Sequence, residues 1–359
     1  VEGQSRSEIE ASAGAYLRTV SEWGTDVGVG LAMDKTSLML LKGRLANSRH
    51  PSVGLNGVNL RYVCEVKYLG IYFWREVVFH SDFAGLSQRL LGVVDKVRRI
   101  LRNEWGLSRR AIRTIYDGLF VACAAYGSSV WCSAVTTVAG RAKVLACQRV
   151  IMLGCMPVCR TVSTEAMQVL LGVTPLDLEV RRRAVLFKIK RRLPLLQNEW
   201  LVDRNVESLG LVSVKRLLNE CVLSDWQVRW STSVKGRVTH RFIRDVTFVR
   251  CRPDFGFSLS LGYLLTGHGS LNAFLHKRCL SDSQECFCGA GEETWEHVLC
   301  ECVLYEDLRD LSAFGVTRQV SGGFDVSQAL STSVRVRLLN EFARSVFDRR
   351  RSMAGEEVV

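Results

Sequence analysis

The sequence predicts a mixed, α-rich chain in three segments: an α/β piece over 1–75, a run of helices over 76–200, and a C-terminal part over 201–359 stapled by a bound metal. Three observations predict it. Short apolar runs of strand length alternate with glycine-containing turns before residue 75, among them an Asn-Gly pair at Asn56-Gly57. Apolar residues then recur at helical spacing, punctuated by Pro157, Pro175 and Pro194. Near the C-terminus, Cys286, Cys288, His297 and Cys302 fall within 17 residues. The 359 residues are 47% hydrophobic, enough for a sizeable core and too apolar for a disordered chain. No apolar run approaches the ~20 residues of a membrane span. Gly118 to Trp131 is the longest, and no secretory signal opens the chain.

Taken in order, Ser7 and Glu10 have the spacing of a capping box. Ile9, Ala13, Tyr16, Leu17, Val20 and Trp23 extend the first helix, and Gly24, Gly28 and Gly30 end it. Ser37 to Leu41 has strand length. Leu55-Asn56-Gly57-Val58 is a tight hairpin turn with arms over His50 to Leu55 and Val58 to Val63. Val66 to Phe73, rich in aromatic and β-branched residues, is a further strand. Helical stripes follow: Leu90, Val94, Val97 and Leu101; then Ile112, Ile115, Leu119, Ala122 and Cys123; then Ala142, Leu145, Val150 and Leu153. Thr164 to Leu171 and Leu178 to Ile189 add two helices. Residues 205–275 are mixed, and Val334, Leu338, Phe342 and Val346 mark a last amphipathic helix.

The formal net charge is +12, which favours a polyanionic partner over a neutral one. It is unevenly spread. Cys279 to Ser312 holds nine acids and one base, a net of −8, so the remainder carries +20. Three basic blocks supply much of that: Arg98, Arg99, Arg102, Arg109 and Arg110; Arg181, Arg182 and Arg183; and Arg229, Arg237 and Arg241. Side chains of this type track a phosphate backbone. Trp226, Trp230, Phe242 and Phe248 interleave the third block, where they fit base stacking or plain core packing. The simpler alternative for all three blocks is a generic basic surface.

Thirteen cysteines, an odd count without a secretion signal, point to free thiols, with Cys123, Cys147 and Cys155 set among apolar residues as buried examples. Cys286, Cys288, His297 and Cys302 differ. Three thiolates and one imidazole match a closed tetrahedral zinc site, structural because no position is left for water. Spacing alone leaves Cys300 as a competing ligand. The acidic surroundings argue that this loop staples a fold rather than touching phosphate. A Walker loop, a nucleophile elbow and a zincin motif are all missing. Pro253-Asp254 could open a carboxylate–lysine nuclease site, but no lysine follows Lys277. His268, in Thr266-Gly267-His268-Gly269, reads as a turn histidine satisfied by backbone.

Residues 21–43, with Lys35-Thr36, followed by Val66-Lys67-Tyr68-Leu69-Gly70-Ile71, resemble the end of the palm in reverse transcriptases of non-LTR (LINE-like) retrotransposons. Tyr126-Gly127, Gln148-Arg149, Arg160 to Thr164 and Pro175-Leu176 resemble the family's helical thumb and connector. Thr266 to Gly269, then Cys286, Cys288, His297 and Cys302, are similar to its C-terminal Cys-Cys-His-Cys domain. The ordered set is similar to the R-one type, arthropod elements that insert into ribosomal RNA genes.

The resemblance implies that 1–75 end a palm with its primer-grip hairpin, that 76–200 are thumb and connector, and that 201–359 bind nucleic acid. It implies that the catalytic, metal-binding aspartates lie upstream of Val1. The chain is then part of a longer pol polyprotein whose target-site endonuclease also lies elsewhere, and is inactive alone. It gives Lys35 as a general acid toward pyrophosphate, the alternative being an ordinary surface lysine before a strand. It gives Tyr68, Leu69 and Gly70 as the grip on the primer end. Zn2+ is the implied structural cofactor and Mg2+ the parent polymerase's. Element RNA, target DNA and dNTPs are the implied partners, without a membrane. Action on chromosomal DNA implies a nuclear site after synthesis in the cytoplasm. A reading from a different class is a non-catalytic, zinc-dependent nucleic-acid-binding module.

Overall fold

Ser5 starts the first helix, two residues earlier than the capping box predicts. In the computed structural model, which describes residues 1–41, 50–69, 71–74, 92, 95, 109–206, 208–252 and 255–355, the chain divides into two units, Val1–Gly85 and Leu86–Val359. In the first unit, α1 (Arg6–Asp26) is capped by the Ser5 hydroxyl, which accepts from the Glu8 backbone N–H at 3.2 Å. The Glu8 carboxylate accepts from the Gln4 N–H at 2.8 Å, and Glu10 instead accepts from Ser52 N–H at 2.8 Å. Gly24 is buried because the chain folds back over it. A Cβ there would sit 2.6 Å from the Val29 carbonyl oxygen, and Val29 N–H donates to the Gly24 carbonyl at 2.7 Å.

Strand β1 (Ser37–Leu38) pairs in parallel with β4 (Arg61–Tyr62). Between them, β2 (Gly54–Leu55) and β3 (Val58–Asn59) form the expected hairpin, with Leu55 opposite Val58. Asn56 (φ 52°) and Gly57 (φ 78°) are both left-handed, as the two-residue turn demands. The arms are shorter than expected because the chain turns away at Arg61 to reach β1. The single strand expected over Val66 to Phe73 is corrected: it is a hairpin, β5 (Glu65–Tyr68) against β6 (Ile71–Trp74), with Tyr68 opposite Ile71. Its turn lacks the Asn or Asp that signals one, and Leu69 takes the left-handed backbone instead (φ 49°).

The second unit is helical. Helix α2 (Arg109–Ile115) runs into a π-helical stretch, Tyr116–Val121, and then α3 (Ala122–Ala124). The wider turn rotates the buried face. Tyr116, Phe120, Val121 and Ala124 are buried, whereas Leu119, Ala122 and Cys123 of the expected stripe are exposed. Helix α4 (Ser128–Trp131) and a 3-10 segment, Cys132–Thr136, lead to α5 (Val138–Cys155), capped by Thr137. α5 also buries a different face from the expected one: Val144, Cys147, Gln148, Ile151, Met152 and Cys155.

The reason is a buried polar network that an apolar stripe cannot reveal. The Gln148 side-chain amide donates to the Tyr116 hydroxyl (2.6 Å) and the Thr174 carbonyl (2.8 Å). Its carbonyl accepts from the Gln168 amide (2.8 Å) and Leu176 N–H (3.0 Å). Every polar atom of the Gln148 side chain is thereby satisfied out of water. The network joins α5 to α6 (Thr164–Leu171) and α7 (Leu176–Lys190).

Helix α8 (Leu211–Thr232) packs on α7 through Val185, Val214 and Leu218, with Leu201 of the connecting segment in the same cluster. One core therefore crosses the segment boundary expected at 200. Trp226, Trp230 and Phe242 belong to the interior rather than to a stacking surface. Short helices α9 (Arg237–Phe242), α10 (Thr247–Arg250), α11 (Leu259–Thr266) and α12 (Asn272–Lys277) carry the chain to the cysteine cluster. Helix α13 (Leu311–Phe314), the two-residue strands β7 (Thr317–Arg318) and β8 (Phe324–Asp325), and α14 (Ser333–Ala354) complete the unit. α14 buries Val336, Leu339, Phe342, Ala343, Val346 and Phe347. Val334 of the expected stripe is exposed. No single helix among the described residues is long and apolar enough to cross a membrane.

Candidate metal centre and basic residues

Glu285 and Glu292 bridge as neighbouring strands, which brings Cys286 and Cys288 into one tight knuckle. Cys286 N–H donates to the Gly291 carbonyl (2.8 Å), and Gly289 N–H to the Cys286 carbonyl (2.9 Å). Gly289 (φ 69°) supplies the left-handed turn. The opposite wall is a π-helical turn, His297–Glu301, closed by Cys302 N–H donating to the His297 carbonyl at 2.7 Å. Its extra residue per turn sets His297 and Cys302 side by side.

The four ligand atoms lie within 4.8 Å of one another. Cys286 Sγ is 3.6 Å from Cys302 Sγ, and Cys288 Sγ is 3.2 Å from His297 Nε2. A tetrahedral ion with Zn–S bonds of ~2.3 Å holds its sulfurs about 3.8 Å apart, so the donor set fits zinc. Cys300 is buried but is not one of the four. Burial pushes its thiol up to about 12. Burial also raises the Cys286 and Cys302 thiols. Cys288 is lowered: burial opposes this, but the Ala290 N–H at 3.4 Å and the facing thiols overcome it. On the outer side, Glu301 Oε2 lies 3.7 Å from His297 Nδ1, within charge range of the imidazole but beyond hydrogen-bond distance.

The acidic segment is tied to distant arginines, which its composition does not reveal. Glu293, fully buried, accepts from Arg350 Nε (2.9 Å) and Nη2 (3.0 Å). Glu296 takes a two-pronged contact from Arg241 (2.7 and 2.8 Å). Asp307 takes another from Arg349 (2.7 and 2.6 Å). Arg241 holds the Glu296 carboxyl below the usual carboxylate range, and Arg349 does the same for Asp307. His268 follows the left-handed Gly267 at the end of α11, and its ring is met by a side chain rather than by the backbone that its glycine neighbours suggest. Its Nδ1 lies 2.8 Å from Thr161 Oγ1, and burial lowers its pKa to about 4.

The predicted phosphate-binding arginines are largely held by the protein itself. Arg182 and Arg183 both bond Glu179 (2.7 and 2.8 Å). Arg181 lies 3.8 Å from Asp225 and 4.4 Å from the Trp200 ring centre. Arg229 pairs with buried Asp177 at 2.7 Å. Arg237 donates to the Trp230, Ser231 and Ser233 carbonyls at the end of α8. Lys35 is exposed in a turn closed by its own N–H to the Ala32 carbonyl (3.1 Å). Tyr68 and Leu69 are exposed at the tip of the β5–β6 hairpin. Gly70, Arg98, Arg99, Arg102, the Leu90 to Leu101 stripe and Pro253-Asp254 lie outside the described residues, as do the side chains of Arg109 and Arg110. Among the described residues all cysteines are free; Cys147 and Cys155 are buried and Cys123 is exposed.

This chain has relatives among known proteins by sequence. No family profile matches it, and no solved structure does. It is 46% identical, over 98% of its length, to the 115 kDa protein in type-1 retrotransposable element R1DM of Drosophila melanogaster. It is 44% identical, over 99% of its length, to the Pol polyprotein from type-1 retrotransposable element R1 of Bradysia coprophila. It spans only 34% and 35% of those two relatives. A Pol polyprotein from element R1 2 of Nasonia vitripennis is 38% identical over 98% of the chain, which covers 87% of that relative.

Proposed function

The chain belongs to the family of Pol polyproteins of the type-1 retrotransposable element R1, and from that membership we propose that it is part of an RNA-directed DNA polymerase that copies element RNA into nicked chromosomal DNA. The observation that carries the proposal is near-complete alignment with R1 Pol proteins at 38–46% identity. On this reading the metal-binding carboxylates and the endonuclease belong to other parts of the polyprotein. Mg2+ there would neutralise the phosphates of the incoming dNTP. Ribosomal RNA genes are the proposed target, and the nucleus the place of action.

Lys35 would donate a proton to the leaving pyrophosphate. Its exposure leaves the ammonium accessible. The exposed tip of the β5–β6 hairpin, Tyr68-Leu69, would lie against the primer end. Zinc held by Cys286, Cys288, His297 and Cys302 would be structural, because four protein ligands close the tetrahedron. Primer extension on an RNA template by the longer polyprotein tests the assignment, with Lys35→Ala expected to slow it at least about ten-fold. A Lys35→Ala enzyme as fast as wild type removes the acid role. No extension by the intact polyprotein removes the polymerase reading itself.

A second reading has its own support: the closed metal cluster sits in a unit whose net charge outside Cys279 to Ser312 is strongly basic. By itself this chain would then be a zinc-dependent nucleic-acid-binding module. It predicts salt-dependent binding that chelation abolishes; binding indifferent to chelation sinks it.

A further inference from the structure

A cavity of about 230 Å³ opens between α2, α7 and the end of α10. Four guanidinium groups line it: Arg113 from α2, Arg182 and Arg183 from α7, and Arg250 from α10. Two carboxylates, Asp117 and Glu179, share the wall. The lining thus carries a net charge of about +2. Glu179 is committed to holding Arg182 and Arg183 (2.7 and 2.8 Å). Asp117 lies 3.6 Å from Arg113. Arg250 has no carboxylate within ion-pair distance among the described residues. Its Nη1 donates to the Thr174 hydroxyl at 3.0 Å, which aims the fork. Burial, then the Arg113 charge, lowers the Arg250 pKa from its ordinary value.

We propose that this cavity is a phosphate site: a phosphoryl group enters it and is gripped by Arg250 and Arg113, with Arg182 and Arg183 held in place behind by Glu179. Guanidinium forks match phosphate oxygens two at a time. Arg250 is fixed before the ligand arrives by Thr174, and Arg182 and Arg183 by Glu179, so these three lose little side-chain freedom on binding. The anion would relieve an arginine that is half-buried and beside like charges. A single carboxylate carries one negative charge and a neutral molecule none, whereas a phosphoryl group presents up to two on one compact centre. The proposal stands apart from the polymerase assignment, because inorganic phosphate is its probe.

The test is titration of the full 359-residue chain with inorganic phosphate, followed by calorimetry. Arg250→Gln should weaken binding by about ten-fold, the loss of a charge-assisted pair of hydrogen bonds. Asp117→Asn removes a competing carboxylate and should tighten binding roughly two- to five-fold. A tighter variant cannot be produced by misfolding, so this second arm stays decisive if Arg250→Gln folds poorly. Phosphate affinity unchanged in Arg250→Gln, or not raised in Asp117→Asn, overturns the proposal. Competition then separates the sources of the phosphoryl group. A 5′-phosphorylated oligonucleotide that competes better than its dephosphorylated form identifies a strand end. Equal competition identifies a backbone phosphate. Competition by neither, with phosphate itself bound, identifies a free phosphate compound.

Discussion

Removing the Arg350 side chain should weaken the tie between the cysteine–histidine segment and α14, leaving the Arg349–Asp307 contact in place. Glu293 is fully buried, and Arg350 is its cationic partner through Nε and Nη2 at 2.9 and 3.0 Å. Arg350 also donates to Asn272 Oδ1 at 2.7 Å, and Asn272 N–H donates to Glu293 Oε2 at 2.7 Å. In Arg350→Ala the carboxylate keeps one backbone N–H and loses every charged donor. Breaking a buried pair from one side costs about 3–5 kcal/mol, which lowers the folding equilibrium constant by roughly two to three and a half orders of magnitude. Removing both charges with bulk retained, as Glu293→Gln with Arg350→Met, should restore more than half of that loss. The assay is urea unfolding of the second unit with zinc present, followed by circular dichroism. A loss below about 1 kcal/mol in Arg350→Ala, the size of an exposed pair, refutes the reasoning; so does a double variant no better than the single.

Three further outcomes follow from the same geometry. Cys302→Ser should abolish stoichiometric zinc binding while Cys300→Ser retains it, read by a metallochromic chelator; equal loss in both would falsify the ligand set. Glu301→Gln should weaken zinc binding by roughly two- to five-fold, because it removes a negative charge 3.7 Å from His297 Nδ1; unchanged affinity removes that role. Glu296 has its folded pKa lowered by Arg241. Its contribution to stability is therefore complete above the unfolded value near 4.3 and lost as pH falls through the folded value. Arg241→Gln should remove that part of the acid limb, which a pH series of melting temperatures would reveal by its flattened slope.

The Asn56-Gly57 hairpin and the Cys286 to Cys302 cluster were legible because each is local: two residues set one turn, and four ligands within one loop set one site. The β5–β6 hairpin was not legible in the residue pattern, although the family resemblance implied a hairpin there: Leu69 carries the left-handed turn, and the apolar run reads straight through it. The faces of α2 and α5 were mis-set for two distinct reasons. A π-helical stretch changes the period at Tyr116, and Gln148 is buried for the hydrogen bonds it makes across 20 to 32 residues of sequence. The Cys302 ligand could be separated from Cys300 only in three dimensions. Glu293, Asp177 and Arg350, all buried, look like surface charges in a sequence; only their distant partners make them core.

That same pairing changes how the net charge acts on a polyanion. Salt dependence counts counterions released, which follows net local charge rather than the number of arginines. Arg229 shares its charge with Asp177, and Arg241 with Glu296, so neither should contribute much. At the end of α7 the balance differs: Lys190, Arg191 and Arg192 are exposed and have no carboxylate partner among the described residues. Replacing these three with glutamine should reduce the slope of log K against log salt by about 2–3 for duplex DNA, near 0.9 for each phosphate no longer neutralised. Arg241→Gln should shift it by well under one. A larger change in Arg241→Gln than in the triple variant would mean that paired arginines exchange their carboxylates for phosphate on binding, and the charge at the end of α7 would no longer be the part of this surface that nucleic acid feels.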